Sequence, residues 1–89
     1  MKKIKVEAVV GLAARVCNQH LKPLKLDHNV FSIAGSIRVY CISGDNYALS
    51  TLIYLASKLW FNGYQFDAGC IKKLTDDLVS LKARGLIEE

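Results

Sequence analysis

The sequence lacks the cysteine patterns that brace small folds or hold metals. Its 3 cysteines, Cys17, Cys41 and Cys70, are odd in number and widely spaced, with no CxxC pair. Such a set does not form a disulfide framework and is typical of the reducing cytosol. Zinc sites need three or four ligands at recognisable spacings, and here only Cys17 and His20 lie one helical turn apart. We therefore expect no metal site and no cofactor, with the cysteines in core positions and His28 in solvent.

Long apolar runs are also missing. The most apolar stretch, "YALSTLIYLASKLWF", is too short for a membrane span and contains Lys58. The apolar segment near the N-terminus is interrupted by Glu7 and Arg15, and no small-residue cleavage site follows it. These features predict a soluble, cytoplasmic protein without a membrane partner.

Groupings of catalytic side chains are absent as well. "IAGSI" has a single glycine and cannot form a phosphate-binding loop. Asp76 and Asp77 each lie four residues after a lysine, which indicates a solvated helix face and not an acid–base pair. The spacing of His28, Ser43 and Asp45 is not that of a catalytic triad. The sequence thus predicts a protein that is not an enzyme.

The chain is instead rich in apolar residues for its size. It has 89 residues, of which 52% are hydrophobic, and a mean hydropathy of +0.21. A chain of this length forms one domain, which we place at residues 1–89, and has little interior in which to bury apolar surface. The excess predicts a homodimer or another protein partner. The net charge of +4 is compatible with nucleic-acid binding without requiring it.

Two helices are predicted at the ends of the chain. Apolar residues from Val6 to Leu21 have helical spacing, and Pro23 stops the pattern. A short strand in "KIKVEAV" followed by a shorter helix is the alternative. The last helix is predicted to begin at an N-cap, Asp67, and to end where Gly85 adopts the left-handed conformation of a Schellman turn. Its apolar stripe contains Ile71, Leu74, Leu78 and Leu81.

The segment "VFSIAGSIRVYCISG" predicts β-structure. It is rich in β-branched and aromatic residues, and its odd positions include the apolar residues Phe31, Ile33, Ile37, Val39 and Cys41. A hairpin turning through residues 34–36 keeps these on one face, and one long strand would keep the same phase. A strand edge here would offer a site for dimer pairing.

A central helix is predicted from Asn46 to Asn62, with Asp45 as its N-cap. It is apolar nearly all round, which predicts burial on more than one side or contact with a second subunit. We expect Trp60 in the core. The predicted fold is a small α+β domain of order α-β-β-α-α, with a short antiparallel hairpin, or one long strand, packed against three helices.

These features favour a small non-enzymatic protein–protein interaction module. Its size and lack of catalytic groups suit an adaptor or inhibitor from a phage or mobile element. Aromatic side chains around the turn in "KLWFNGYQF" suit a contact surface for a partner. The predicted partner-binding residues are Phe61, Tyr64 and Tyr54.

A small basic nucleic-acid-binding regulator is the alternative. Basic and aromatic side chains together can hold the phosphates and stack on unpaired bases, and Arg38 and Tyr40 share one face of the predicted strand. The residues of this alternative are Lys2, Lys3, Lys5, Arg38, Tyr40, Lys72 and Lys73.

The stretch "CIKKLTDDLVSLKARGLI" resembles the recognition helix and following strand of winged-helix regulators. This resemblance implies DNA binding through the last helix. Two features depart from the family: we expect no wing after Ile87, and the preceding apolar helix is not predicted to break into two short ones. Asp76 and Asp77 on the exposed face would also repel phosphates.

Overall fold

Four helices form most of the computed structural model, which describes residues 2–89. They are α1 (Val6–Leu21), α2 (Val30–Ser43), α3 (Tyr47–Phe61) and α4 (Gln65–Ala83). Two single 3-10 turns, Lys22–Leu24 and Asp27–Asn29, connect α1 to α2. Two-residue strands, β1 (Ile4–Lys5) and β2 (Ile87–Glu88), pair in parallel. The fold is therefore mostly helical, and the prediction of an α+β domain with an antiparallel hairpin is wrong.

The predicted first helix is confirmed. α1 runs from Val6 to Leu21, and Pro23 lies in the 3-10 turn that follows it. The buried face comprises Val6, Val9, Val10, Ala13, Cys17, His20 and Leu21. The strand alternative holds only for Ile4 and Lys5, which directly precede the helix.

The predicted hairpin is a helix, α2. Its buried residues, Ile33, Ile37, Tyr40 and Cys41, are separated by four, three and one positions, as on one face of a helix. Phe31 and Val39, which the hairpin would have placed on the apolar face, are 93% and 48% exposed. Because Ile33, Ile37 and Cys41 differ by multiples of both two and four residues, their spacing fits a strand and a helix equally well. Residues 30–43 therefore provide no strand edge that could join two subunits.

The central helix begins and ends close to its predicted bounds. The N-cap is Asn46 and not the predicted Asp45. The Asp45 carboxylate nevertheless accepts a hydrogen bond of 2.9 Å from the backbone N–H of Tyr47, which satisfies one of the free donors at the start of α3. Helix α4 begins two residues before Asp67, so that residue lies in the first turn and is not the N-cap.

The end of α4 is the predicted Schellman turn. Gly85 has a φ of +66°. Its N–H bonds to the Lys82 carbonyl, and the Leu86 N–H bonds to the Leu81 carbonyl. The turn directs the chain back beside β1, where the Ile4 N–H donates to the Leu86 carbonyl at 2.7 Å. The N-terminal and C-terminal segments therefore meet on one side of α1.

The core lies between two helix pairs. α1 packs mainly on α2, α3 packs mainly on α4, and the pairs meet through α1 with α4 and α2 with α3. Leu52 and Leu59 of α3, Ile37 of α2 and Ile71 of α4 are fully buried at the centre. The Lys82 ammonium also ties α4 to α2 by donating to the Cys41 carbonyl at 2.9 Å. This arrangement leaves one long side of α3 facing outward.

Candidate interaction surface on helix α3

Helix α3 has apolar residues on both its inner and its outer side. The inner side consists of Ala48, Leu52, Leu55 and Leu59, which are at most 7% exposed. Five large apolar residues with more than half of their surface exposed lie outside this face: Tyr47, Ile53, Tyr54, Trp60 and Phe61. An ordinary surface helix carries charged or polar residues there. The outer side of α3 thus has the composition of a contact surface.

Five outward residues form a line with heptad spacing, which we call the α3 seam. The α3 seam consists of Tyr47, Ser50, Tyr54, Ser57 and Phe61, all exposed. Successive members are separated by three or four residues, the spacing that lets one helix pack along another by knobs-into-holes contacts. Aromatic and serine side chains alternate, and none of the five is charged.

A groove between α3 and α4 runs along one side of the seam. Its volume is about 330 Å³, with Trp60 and Phe61 on the α3 wall and Lys72 on the α4 wall. Ala56, Ala68 and Gly69 add only small side chains to the lining. It continues towards Ile53, Thr75 and Asp76 as a second depression of about 300 Å³. Large side chains from a partner can enter the groove because its lining residues are mostly small.

A second groove lies on the opposite side of the seam, between α2 and α3. It has a volume of about 280 Å³, and Tyr47, Tyr54 and Lys58 form its α3 wall. The Lys58 ammonium lies 5.8 Å from the centroid of the Tyr54 ring, within cation–π range. The seam is thus a ridge between two grooves.

The predicted partner-binding residues lie on or beside this ridge. Tyr54 and Phe61 belong to the α3 seam and are 61% and 86% exposed. Tyr64 follows α3 and is 38% exposed, with its N–H bonded to the Leu59 carbonyl. Trp60 is 53% exposed, so its predicted core position is wrong. It lies on the α4 side of the helix, where it forms part of the groove wall.

Five of the seven residues of the nucleic-acid alternative are buried or paired with a carboxylate. Tyr40 is 5% exposed and faces the core, because the predicted strand is a helix. Arg38 donates to both carboxylate oxygens of Glu7, at 3.1 and 2.9 Å. Three lysines are paired with carboxylates at 3.0 to 3.4 Å: Lys5 with Glu88, Lys72 with Asp76, and Lys73 with Asp77. Lys2 and Lys3 are exposed beside β1.

His20 and the three cysteines are buried or partly buried within the fold. Nδ1 of His20 lies 2.7 Å from Oδ1 of Asp67, a contact that no local spacing in the sequence indicates. Cys17 and Cys41 are buried, as predicted, and Cys70 is partly buried. Burial raises the pKa of the Cys17 thiol to about 11. Within residues 2–89, no three histidine, cysteine or acidic side chains are grouped as metal ligands.

Comparisons with known proteins give no match that could indicate the role of this surface. No protein-family model, no curated protein and no solved structure matches this chain. Among the described residues, none of the helices has the length and apolar character needed to cross a bilayer. The α3 seam and its flanking grooves are therefore the features of this chain that indicate a function.

Proposed function

We propose that this protein is a non-enzymatic protein–protein interaction module that binds through the α3 seam. The observation that carries the proposal is the exposure of Tyr47, Tyr54 and Phe61, at 69%, 61% and 86%, on one line of one helix. Tyrosine is enriched among the residues that dominate binding energy, and exposed aromatic clusters are rare on surfaces that remain in water.

The surroundings of the seam support the same function. Interfaces place aromatic anchors in pockets and surround them with polar groups. Here two grooves flank the aromatic line, and the polar groups at their edges include Lys58, Lys72 and Asp76. Helix-in-groove recognition uses apolar anchors at positions i, i+3, i+4 and i+7, and the seam aromatics Tyr47, Tyr54 and Phe61 recur every seven residues. We place the module in the cytosol, where three unbridged cysteines are stable.

The experiment is site-specific photo-crosslinking in the cells that express the protein. The photoreactive amino acid p-benzoylphenylalanine replaces either Phe61 or Phe31. Both phenylalanines are highly exposed and helical, but Phe31 lies on α2, away from the α3 seam. Illumination should give a discrete protein adduct at position 61 and none at position 31, and mass spectrometry then identifies the protein attached.

Two outcomes at positions 61 and 31 would contradict the proposal. Absence of any adduct at position 61, in cells where the protein is folded and expressed, would contradict it. Equal adducts at both positions would show non-specific contact and would contradict it as well.

A further inference from the structure

We infer that the partner on the α3 seam is a second copy of this chain, docked antiparallel about a two-fold axis. This inference rests on the proposed function and names the occupant of its surface. The geometry that points to it is the alternation of aromatic and serine residues along the seam. That alternation makes the seam complementary to itself in one orientation of the two helices.

The antiparallel register follows from the positions of the residues. A two-fold axis perpendicular to α3, passing between Leu55 and Ala56, places Tyr54 opposite Ser57 of the second copy. The same axis places Phe61 opposite Ser50. Tyr54 and Phe61 then each meet a serine, which is how facing helices interdigitate at native packing density. Tyr47 falls opposite Tyr64, beyond the end of α3.

A parallel pair does not share this fit. It would place Phe61 on Phe61 and Ser57 on Ser57, so that layers with too much volume would alternate with layers containing voids. It would also align the two helix dipoles side by side, whereas antiparallel helices place opposite partial charges together. Volume and dipoles therefore both favour the antiparallel arrangement.

The exposed aromatic area supplies a large share of what a dimer interface needs. Tyr47, Tyr54, Trp60 and Phe61 are between 53% and 86% exposed. At roughly 200 Å² for a fully exposed aromatic side chain, their exposed parts amount to about 500 Å² per copy. A stable interface takes about 800 Å² from each partner. The four aromatics supply more than half of this, and Ile53 with the two seam serines adds to it.

The charges of the surface also permit a second copy. Two chains that each carry a net charge of +4 repel, so a self-association surface must keep like charges apart. The seam has no charged member. In the antiparallel register each flank of one seam meets the same flank of the other, so the two copies of Lys58 lie on one flank, offset by about 7.5 Å along the helix. Lys72 is already paired with Asp76 on its own helix. The axial offset thus keeps the two Lys58 side chains out of direct register.

The first test is the mass of the purified protein by sedimentation equilibrium from micromolar to millimolar concentration. The wild type should form dimers, and Phe61→Lys should weaken dimerisation by at least about 30-fold, the loss of a hot-spot residue. Phe31→Lys adds the same charge at an equally exposed phenylalanine and should leave the dimer unchanged. Circular dichroism checks that both variants fold. The single tryptophan, Trp60, lies beside the seam, so its fluorescence should change when the dimer is diluted.

The second test measures the register with a short bismaleimide cross-linker. In a Cys70→Ser background, cysteine replaces either Ser57 or Ser50. In the antiparallel dimer the two copies of residue 57 are offset by about 4.5 Å along the helix, and those of residue 50 by about 16 Å. Ser57→Cys should therefore cross-link and Ser50→Cys should not. Cross-linking of both would overturn the antiparallel register, and cross-linking of neither in a dimeric sample would overturn the use of the seam.

Failure of this inference is distinguishable from failure of the proposed function. A wild type that stays monomeric at all concentrations would overturn the second-copy inference. Photo-crosslinking at position 61 to a different protein would overturn it too, while supporting the interaction module. Absence of both self-association and any adduct at position 61 would overturn both.

Discussion

The imidazole of His20 and the carboxylate of Asp67 join α1 to α4 across 47 residues of sequence, with Nδ1 and Oδ1 2.7 Å apart. The two side chains are 11% and 22% exposed. The ring of Phe66 packs on the imidazole in an edge-on arrangement, with centroids 5.9 Å apart. The contact therefore fixes the start of α4 against the end of α1.

Loss of this contact should destabilise the fold. Asp67→Ala leaves a buried imidazole nitrogen without its partner, and we expect the free energy of unfolding to fall by about 1–3 kcal/mol. Asp77→Ala is the matched control, because Asp77 also pairs on α4 but is 57% exposed. The control should cost less than about 1 kcal/mol. Urea unfolding at neutral pH measures both, and an equal loss in the two variants would contradict a structural role for the His20–Asp67 pair.

The terminal helices were predictable because each has one apolar stripe and a distinct stop signal. Pro23 lacks a backbone donor and ends α1, and Gly85 adopts the left-handed conformation that ends α4. The exact start of α4 was not predictable. Asp67 is a favourable N-cap residue, but its carboxylate is directed to His20 on another helix, and no local pattern contains that partner.

α2 was mispredicted because its apolar residues satisfy two periods at once. β-branched residues and the glycine in "IAGSI" favoured a hairpin, although intrinsic β preference depends strongly on context. Tyr40 is the residue that separates the two structures, since a helix buries it with Ile37 and Cys41 and a strand does not. Because a tyrosine fits the boundary of the core in both a helix and a strand, the presence of Tyr40 does not distinguish the two structures.

Two glycine substitutions test the helical structure of α2. Gly35 lies inside α2, and a β-carbon there would meet no other atom within 4 Å. Gly35→Ala should therefore raise the free energy of unfolding by about 0.5–1 kcal/mol, the helix preference of alanine over glycine. Gly85→Ala also meets open space but requires a φ of +66°, and it should lower stability by about 1 kcal/mol.

Thermal and urea unfolding of the two glycine variants give the comparison. Opposite signs are expected because only the backbone conformation differs between the two sites. If Gly35→Ala were as destabilising as Gly85→Ala, residue 35 would be in a turn, and the helix assignment of this segment would be refuted.

The candidate surface was partly visible in the sequence. The aromatic cluster around the turn in "KLWFNGYQF" predicts Phe61 and Tyr64 as contact residues, and both are exposed. The prediction of a core position for Trp60 is wrong, because the sequence of a helix that is apolar nearly all round does not show which of its sides the neighbouring helices cover. The packing of α4 leaves Trp60 at the edge of the groove, and only the tertiary structure fixes that edge.

The Glu7–Arg38 pair gives the fold a pH dependence with a definite sign. Two hydrogen bonds from Arg38, together with its positive charge, hold the pKa of the Glu7 carboxyl below its usual value. A lowered pKa in the folded state means that the ion pair contributes stability above the unfolded-state pKa, about 4.3. That contribution is lost as the pH falls through the lower, folded-state value. Both side chains are substantially exposed, so salt should weaken the effect.

The expected result is a stability difference between the wild type and Glu7→Gln that is present at neutral pH and disappears in acid. Urea unfolding between neutral pH and about pH 2 measures it, since that range spans the usual glutamate pKa. Carbon-detected NMR titration of the Glu7 carboxyl measures the lowered pKa directly. Arg38→Gln should abolish the lowering of the Glu7 pKa. In the Arg38→Gln background, Glu7→Gln should cause no further loss of stability. A difference that is the same at every pH would refute the ion pair as its origin, because a neutral packing effect of the side chain does not titrate.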